Sequence, residues 1–371
     1  MSTLPDSLFT PLPQRSITLP NRIVLSPMCE YSSVDGHAND WHLVHLGSRA
    51  VGGAGTVLTE AAAVSPEGRI TPGDLGIYSD DHIPFLTRIT TFIKQQGAIP
   101  GIQLAHAGRK ASMSLPWVTP SHNVSPAEGG WTNVVAPSAL SFHDEYPLPQ
   151  ALDRAGMDKV VDDFTAATHR AVAAGFLLAE VHAAHGYLLH EFLSPLSNTR
   201  TDEYGGSLAN RAKFPIEVIR AVRAAFPDHL PAWVRVSATD WVDGGLTPDE
   251  IIDFARLVKA EGIDLLDCSS GGNDPRQQIP IGAGYQVAFA DRVRRETGLA
   301  TGAVGMITDP AQADQIIRTH QADLVLLARE LLREPYWPLR AAEQLHQPAS
   351  YPVQYERAAK GKVVRREPLK S

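Results

Sequence analysis

Several ordinary features are scarce in this chain, and each scarcity removes a class of function. There are two cysteines, Cys29 and Cys268, far apart and without CxxC spacing, so neither a disulfide framework nor a zinc cluster has support. No apolar run approaches the ~20 residues that span a bilayer. Met1 to Thr10 lacks the basic flank and apolar core of a signal peptide. Basic runs are missing apart from the short Lys360–Arg366 tail, and 33 basic against 41 acidic residues leave a net charge of −8. Nucleic acid and anionic membrane are therefore poor partners. No repeat of fixed 20–50 residue period is present. The expectation at this point is a soluble, cytoplasmic protein.

What is present is an alternation of short apolar runs and amphipathic segments. Candidate strands are Arg22–Leu25, Thr56–Glu60, Ile99–Leu104, Leu178–His182, Trp233–Val236, Asp264–Ser269, Thr301–Val304 and Asp323–Leu327. They are largely apolar rather than strictly alternating, as in a sheet buried on both faces. Between them, Thr247-Pro248-Asp249-Glu250 supplies a cap, a first-turn proline and a capping acid, and Gly262 a stop. Val160, Val161, Phe164, Ala167, Ala171 and Val172 form a helical apolar face before Gly175, as do Val218, Ile219, Val222 and Phe226 within Pro215–Phe226. Asp309-Pro310 opens another helix. Eight strands each followed by a helix imply an α/β fold of the (β/α)8 TIM barrel kind, one domain over residues 1–371. A doubly wound sheet is the alternative; no glycine fingerprint follows the first strand, which counts against its dinucleotide-binding form.

One stretch breaks the rhythm. Ala105 to Gly156 is rich in Pro, Ser, Gly and Trp and has little periodicity. Long excursions after a barrel strand belong to the active-site face, so this one reads as a lid or subdomain after strand three. A second tail-like segment occupies about 350–371. Polar residues gather at the strand C-termini: Ser26 to Tyr31, Gln103 with His106, Arg109 and Lys110, His182 with His185 and Tyr187, Arg235, Gly305-Met306, and Ala328-Arg329. That is the expected form of a small-molecule site.

These motifs resemble the old yellow enzyme family, in its branch with a cysteine after the first strand. The resemblance is carried by Pro27-Met28-Cys29-x-Tyr31, Gln103-x-x-His106-Ala-Gly-Arg109-Lys110, His182-x-x-His185-Gly186-Tyr187, Asn198-x-Arg200-x-Asp202-x-Tyr204-Gly205-Gly206 and Arg329-Glu330-Leu331, so it covers nearly the whole chain. It implies an FMN-dependent ene-reductase that reduces α,β-unsaturated carbonyl and nitro compounds with NADPH or NADH by a ping-pong mechanism. It further implies that His182 and His185 donate hydrogen bonds to the substrate oxygen, where enolate charge develops. Tyr187 protonates the α-carbon, its phenol being protonated at neutral pH. Tyr31 lines the substrate pocket.

By the same resemblance Pro27, Met28, Cys29, Ala61 and Gln103 line the flavin, and Arg235 faces its anionic edge. An unpaired guanidinium inside a barrel is costly, so Arg235 needs an anion, from cofactor or protein. Gly305, Met306, Ala328 and Arg329 fall where barrels bind phosphate. Ala328 departs from the glycine frequent in relatives, and alanine requires negative φ more strictly. Arg357, in Pro352-Val353-Gln354-Tyr355-Glu356-Arg357, resembles an arginine that reaches a neighbouring subunit's substrate site, which implies a homodimer or dimer-based tetramer. The chain runs on to Ser371, past the point where relatives end.

The residues alone leave rivals open. His182 and His185, with Glu180 sharing the alternation of His182, are compatible with a metal-dependent barrel hydrolase, although a full ligand set is missing; the expectation is no metal. A flavin-storing scaffold is the other rival. Cys29 has the ordinary alternative of a small buried hydrophobe, and Cys268 reads as core.

Overall fold

A strand whose side chains are apolar on both parities must find apolar surroundings on both faces, and a closed barrel inside a ring of helices provides them. In the computed structural model, which describes residues 6–360, 363–365 and 367–369, the strands are β1 (Ile23–Leu25), β2 (Thr56–Ala63), β3 (Ile99–Ala105), β4 (Leu178–Ala183), β5 (Ala232–Ser237), β6 (Leu265–Ser269), β7 (Ala300–Val304) and β8 (Leu324–Leu327). Each pairs in parallel with its sequence neighbour, and β8 returns to β1 to close the barrel. Every expected strand start lies within one residue of the observed one. The exception in length is β2, which continues three residues to Ala63 past a register shift between Leu58 and Ala61.

The ring consists of α1 (Asp40–Val51), α2 (Ile83–Gln95), α3 (Arg154–Ala173), α4 (Lys213–Ala225), α5 (Pro248–Ala260), α6 (Val287–Thr297), α7 (Pro310–Arg318) and α8 (Trp337–Gln344), one after each strand. Helix α5 starts as its sequence dictates: the Thr247 side chain accepts from Glu250 N–H, and the Glu250 carboxylate accepts from Thr247 N–H. Asp309 caps α7 by accepting from Ala311 and Gln312. Helix α3 begins earlier than its apolar face suggests, because Asp153 caps it by accepting from Gly156 N–H. The irregular excursion therefore ends at Asp153.

Alternation along the strands stacks the barrel interior in layers. At the bottom, Val24, Leu58, Ile99, Leu178, Trp233, Leu265 and Leu324 form an apolar plug, sealed from below by the hairpin Leu12–Gln14/Ile17–Leu19. Two residues further along the same strands sit Gln103's neighbour Glu180, Arg235 and Asp267, and two beyond those sit His182, Ser237 and Ser269. The polar layers thus lie at the C-terminal end.

The excursion crosses that end. Its only pairings among the described residues are a two-residue parallel ladder, Val135–Ala136 with Gln150–Ala151, and a bridge of Met113 to Asn123. The Trp117 ring stands edge-on to Tyr31 with centroids 6.1 Å apart, and Phe142 lies 4.1 Å from Lys110 Nζ. The C-terminal tail turns the other way: Leu369 N–H donates to Lys94 O, and its side chain packs on the bottom plug. No helix among the described residues is long and apolar enough to cross a membrane.

Candidate active site

The turn after β4 carries three of the expected residues. Ala184 accepts from Tyr187 N–H, and both central residues are left-handed, His185 at φ +60° and Gly186 at φ +71°, the pattern of a type I′ turn. The turn brings the His182 and His185 rings to 5.1 Å and the His182 and Tyr187 rings to 5.1 Å, both edge-on. His182 Nδ1 accepts from Ala184 N–H, which leaves the ring proton on Nε2, free to donate. His185 Nε2 lies 2.7 Å from Ser269 Oγ. When that hydroxyl donates, the ring proton sits on Nδ1. Burial, then Arg235, holds both histidines well below the usual imidazole range. They are neutral N–H donors at pH 7. Burial, then Cys29 and Tyr31, pushes the Tyr187 phenol well up, so it too keeps its proton.

Below this rim, Arg235 is not alone. Its Nε stands 3.1 Å from Asp267 Oδ2, and Nη1 donates to Ser26 Oγ. The premise that a buried guanidinium here needs an anion is met first by the protein itself, so burial alone does not demand a cofactor. A polar deficit nevertheless remains: Arg235 Nε lacks an aligned acceptor, and Glu180 Oε2 has no partner. Gln103 Nε2 donates to Glu180 Oε1 at 2.8 Å. Glu180 is thus turned toward Gln103, and no group of three or more His, Cys, Asp or Glu among the described residues is placed to hold a metal ion.

Burial, then Asp267, raises Glu180 from 4.5 to about 8. A carboxyl raised on folding adds stability that is full below the unfolded pKa and is lost as pH rises toward the folded one. Glu180→Gln keeps the shape and removes the titration. The variant is expected to gain on wild type between pH 4.5 and about 8, by on the order of a few kcal/mol. Urea titrations at the two ends of that window check it; a constant difference would show that Glu180 does not titrate there.

The loop after β1 is fixed beside these layers. Burial, then Asp74 and Glu60, pushes the Cys29 thiol well up. Cys29 therefore keeps its proton at neutral pH. Tyr31 holds φ +49°, and Glu30 N–H donates to Glu60 Oε2 beneath it. Cys268 is buried, as its place in an apolar strand suggests.

Past β7 and β8 opens a cavity of about 280 Å³ lined by Gly305, Met306, Ala328, Arg329 and Arg333. Gly305 (φ +118°) and Met306 (φ +49°) turn the chain here, whereas Ala328 has φ −101°. The negative φ meets what alanine requires, while ψ at −101° lies outside the α and β regions. Arg329 is exposed and has no ion pair among the described residues, so its guanidinium is open to an anion. Tyr285 and Ser269 line the same cavity, and Ser269 also meets His185. An open guanidinium beside left-handed backbone, together with unsatisfied buried polar atoms near Arg235 and Gln103, is a donor set that an anionic, ring-bearing cofactor such as FMN fits.

Sequence reading missed Ser269, Asp267 and Arg333 and assigned no role to Lys110. Asp267 and Ser269 alternate inward on β6, a signal visible as two polar residues in an apolar strand. Lys110 Nζ donates to His185 O at 2.9 Å and to Gly272 O, contacts no sequence pattern announces. Arg357 is exposed and forms no hydrogen bond or ion pair among the described residues; it is not brought to the strand-end cluster of its own chain by any contact.

The family model for NADH:flavin oxidoreductase / NADH oxidase matches residues 7–348. The NADPH dehydrogenase of Geobacillus thermodenitrificans is 47% identical over 352 residues, 94% of this chain and 98% of that protein. Morphinone reductase superposes with a TM-score of 0.77 at 27% identity, covering 94% of this chain and 92% of that one. The old yellow enzyme homologue of Zymomonas mobilis gives 0.75 at 25% identity, covering 94% and 95%. The chain belongs to this flavin oxidoreductase family, the old yellow enzymes, and is an FMN-dependent oxidoreductase that draws on NAD(P)H.

Proposed function

We propose that this protein is an ene-reductase acting on alkenes conjugated to a carbonyl or nitro group, by a ping-pong cycle in which NAD(P)H and alkene use one site in turn. The carrying observation is the type I′ turn that sets the neutral His185 imidazole and the protonated Tyr187 phenol each 5.1 Å from the neutral His182 ring on one rim. FMN, when bound, would supply the redox chemistry, hydride transfer between NAD(P)H and the alkene β-carbon. The chain's own residues do the rest. His182 Nε2–H and His185 Nδ1–H bind the substrate oxygen and stabilise the charge that gathers on it. Tyr187 delivers a proton to the α-carbon.

In this reading Pro27, Met28, Cys29, Ala61 and Gln103 line the cofactor ring, Arg235 faces its polar edge, and Gly305, Met306, Ala328 and Arg329 hold its phosphate. Tyr31 packs on the substrate. Arg357, exposed on its 3-10 turn, serves the neighbouring subunit of a homodimer or dimer-based tetramer. Steady-state rates with NADPH and 2-cyclohexenone are expected to give parallel double-reciprocal lines. Maleimide and nitroalkenes are expected to react and cyclohexene, which has no oxygen to bind, is not. Intersecting lines, or turnover of cyclohexene at a similar rate, would remove the reading.

A further inference from the structure

The turn that carries His185 and Tyr187 is strained, and a second, buried pair that the proposed chemistry does not use is fastened to it. A non-glycine residue in the left-handed region persists only where its surroundings over-determine it. His185 at φ +60° is held by its N–H to Ser237 Oγ at 2.9 Å and by Lys110 on its carbonyl. The next amide, Gly186 N–H, donates to Nδ1 of His190 at 2.8 Å. A ring nitrogen that accepts carries no proton, so the His190 proton is on Nε2. That atom lies 2.9 Å from Asp240 Oδ1, short but off the hydrogen-bond axis. Neither side chain is exposed to solvent.

Asp240 is itself anchored from a different part of the chain. Its Oδ2 accepts from Ser194 Oγ–H at 2.5 Å and from Leu246 N–H at 2.8 Å. The pair therefore ties the loop after β5 to the turn after β4 through the short helix Leu188–Leu193. Only glycine fits at 186, because a Cβ there would meet the Gly272 carbonyl and Asn273. A buried carboxylate with one imidazole partner has one low-energy arrangement, and the imidazole has one remaining acceptor.

We infer that Asp240 and His190 are positioning residues: the carboxylate fixes the His190 tautomer, His190 Nδ1 fixes the Gly186 amide, and the amide fixes how far His185 and Tyr187 stand apart. Neither touches a reactant. The consequence for rate rests on the ene-reductase reading; the lock itself does not.

The test uses the FMN-loaded protein with His190→Leu, His190→Asn and Asp240→Asn. An Asn side-chain oxygen can stand where Nδ1 stands, whereas Leu offers no acceptor. Amide exchange in the peptide spanning 184–188 is expected to speed up about tenfold or more in His190→Leu, as for one lost buried hydrogen bond, and to return most of the way in His190→Asn. Stopped-flow rates are expected to split: oxidation by 2-cyclohexenone slows about tenfold or more in the Leu variant, while reduction by NADPH changes less than about threefold. Asp240→Asn shows the same split should the Leu variant fail to fold. Unchanged exchange, equal behaviour of Leu and Asn, or equal loss in both half-reactions would overturn the inference. If wild type oxidises with no alkene yet exchange responds as described, the lock stands and the ene-reductase reading falls.

Discussion

Tyr187→Phe is expected to slow alkene reduction by about 10²–10⁴-fold, the usual contribution of a positioned general acid. Flavin reduction by NADPH is expected to stay within about threefold of wild type, since no proton is given to carbon in that half. The geometry supports a loss this selective. Tyr187 is packed against Ala107, Ala111 and Val134, so phenylalanine fills the same space and only the hydroxyl disappears. Burial keeps that hydroxyl protonated, and no other neutral O–H stands on the turn to replace it. Stopped-flow measurement of the two half-reactions separates the outcomes. Equal losses in both would take Tyr187 out of the acid role and return it to packing.

Arg235→Leu is expected to produce the largest loss of stability. Asp267 is fully buried, and Arg235 is the cation beside it. Removing one member of a buried pair costs about 3–5 kcal/mol, because the other charge is left uncompensated. Even with Arg235 present, burial raises Asp267 from 3.8 to about 6. Without it the carboxyl rises further, so the deficit is greatest at neutral pH and above. It shrinks as pH falls toward the unfolded carboxylate range, where Asp267 is neutral in both states. Adding Asp267→Leu is expected to recover most of the loss, since a buried pair replaced whole by apolar groups is often neutral. Urea titrations of the flavin-free proteins at pH 7 compare single and double variants. A single variant as stable as wild type would mean that the pair carries no structural weight.

The barrel was legible in the sequence because burial on both faces makes barrel strands largely apolar, and because Thr247-Pro248 and Asp309-Pro310 punctuate helices by their own chemistry. Boundaries slipped where side chains carry little signal. Ala61, Ala62 and Ala63 continue β2 through pairing with β3 rather than through propensity, and α3 starts at a cap, Asp153, outside its apolar face. Site residues were legible when they sat at strand ends in a motif. His182, His185, Tyr187, Gln103 and Arg235 lie together as the alternation requires.

The missing parts were relations between distant residues. No local pattern says that Asp267 will neutralise Arg235, that Ser269 will meet His185, or that Lys110 will reach the carbonyls of His185 and Gly272. Each depends on shear between neighbouring strands or on loop conformation. Arg357 illustrates the opposite limit: a motif was readable, but no hydrogen bond or ion pair among the described residues holds its exposed side chain.

The most direct measurement is the visible spectrum of the purified protein under anaerobic conditions. A yellow protein is expected, bleached by NADPH and coloured again by 2-cyclohexenone without oxygen, with one saturated ketone formed per NADPH spent. A protein that bleaches with NADPH but regains its colour only when oxygen is admitted would contradict the assignment of the His182–His185–Tyr187 rim to alkene reduction.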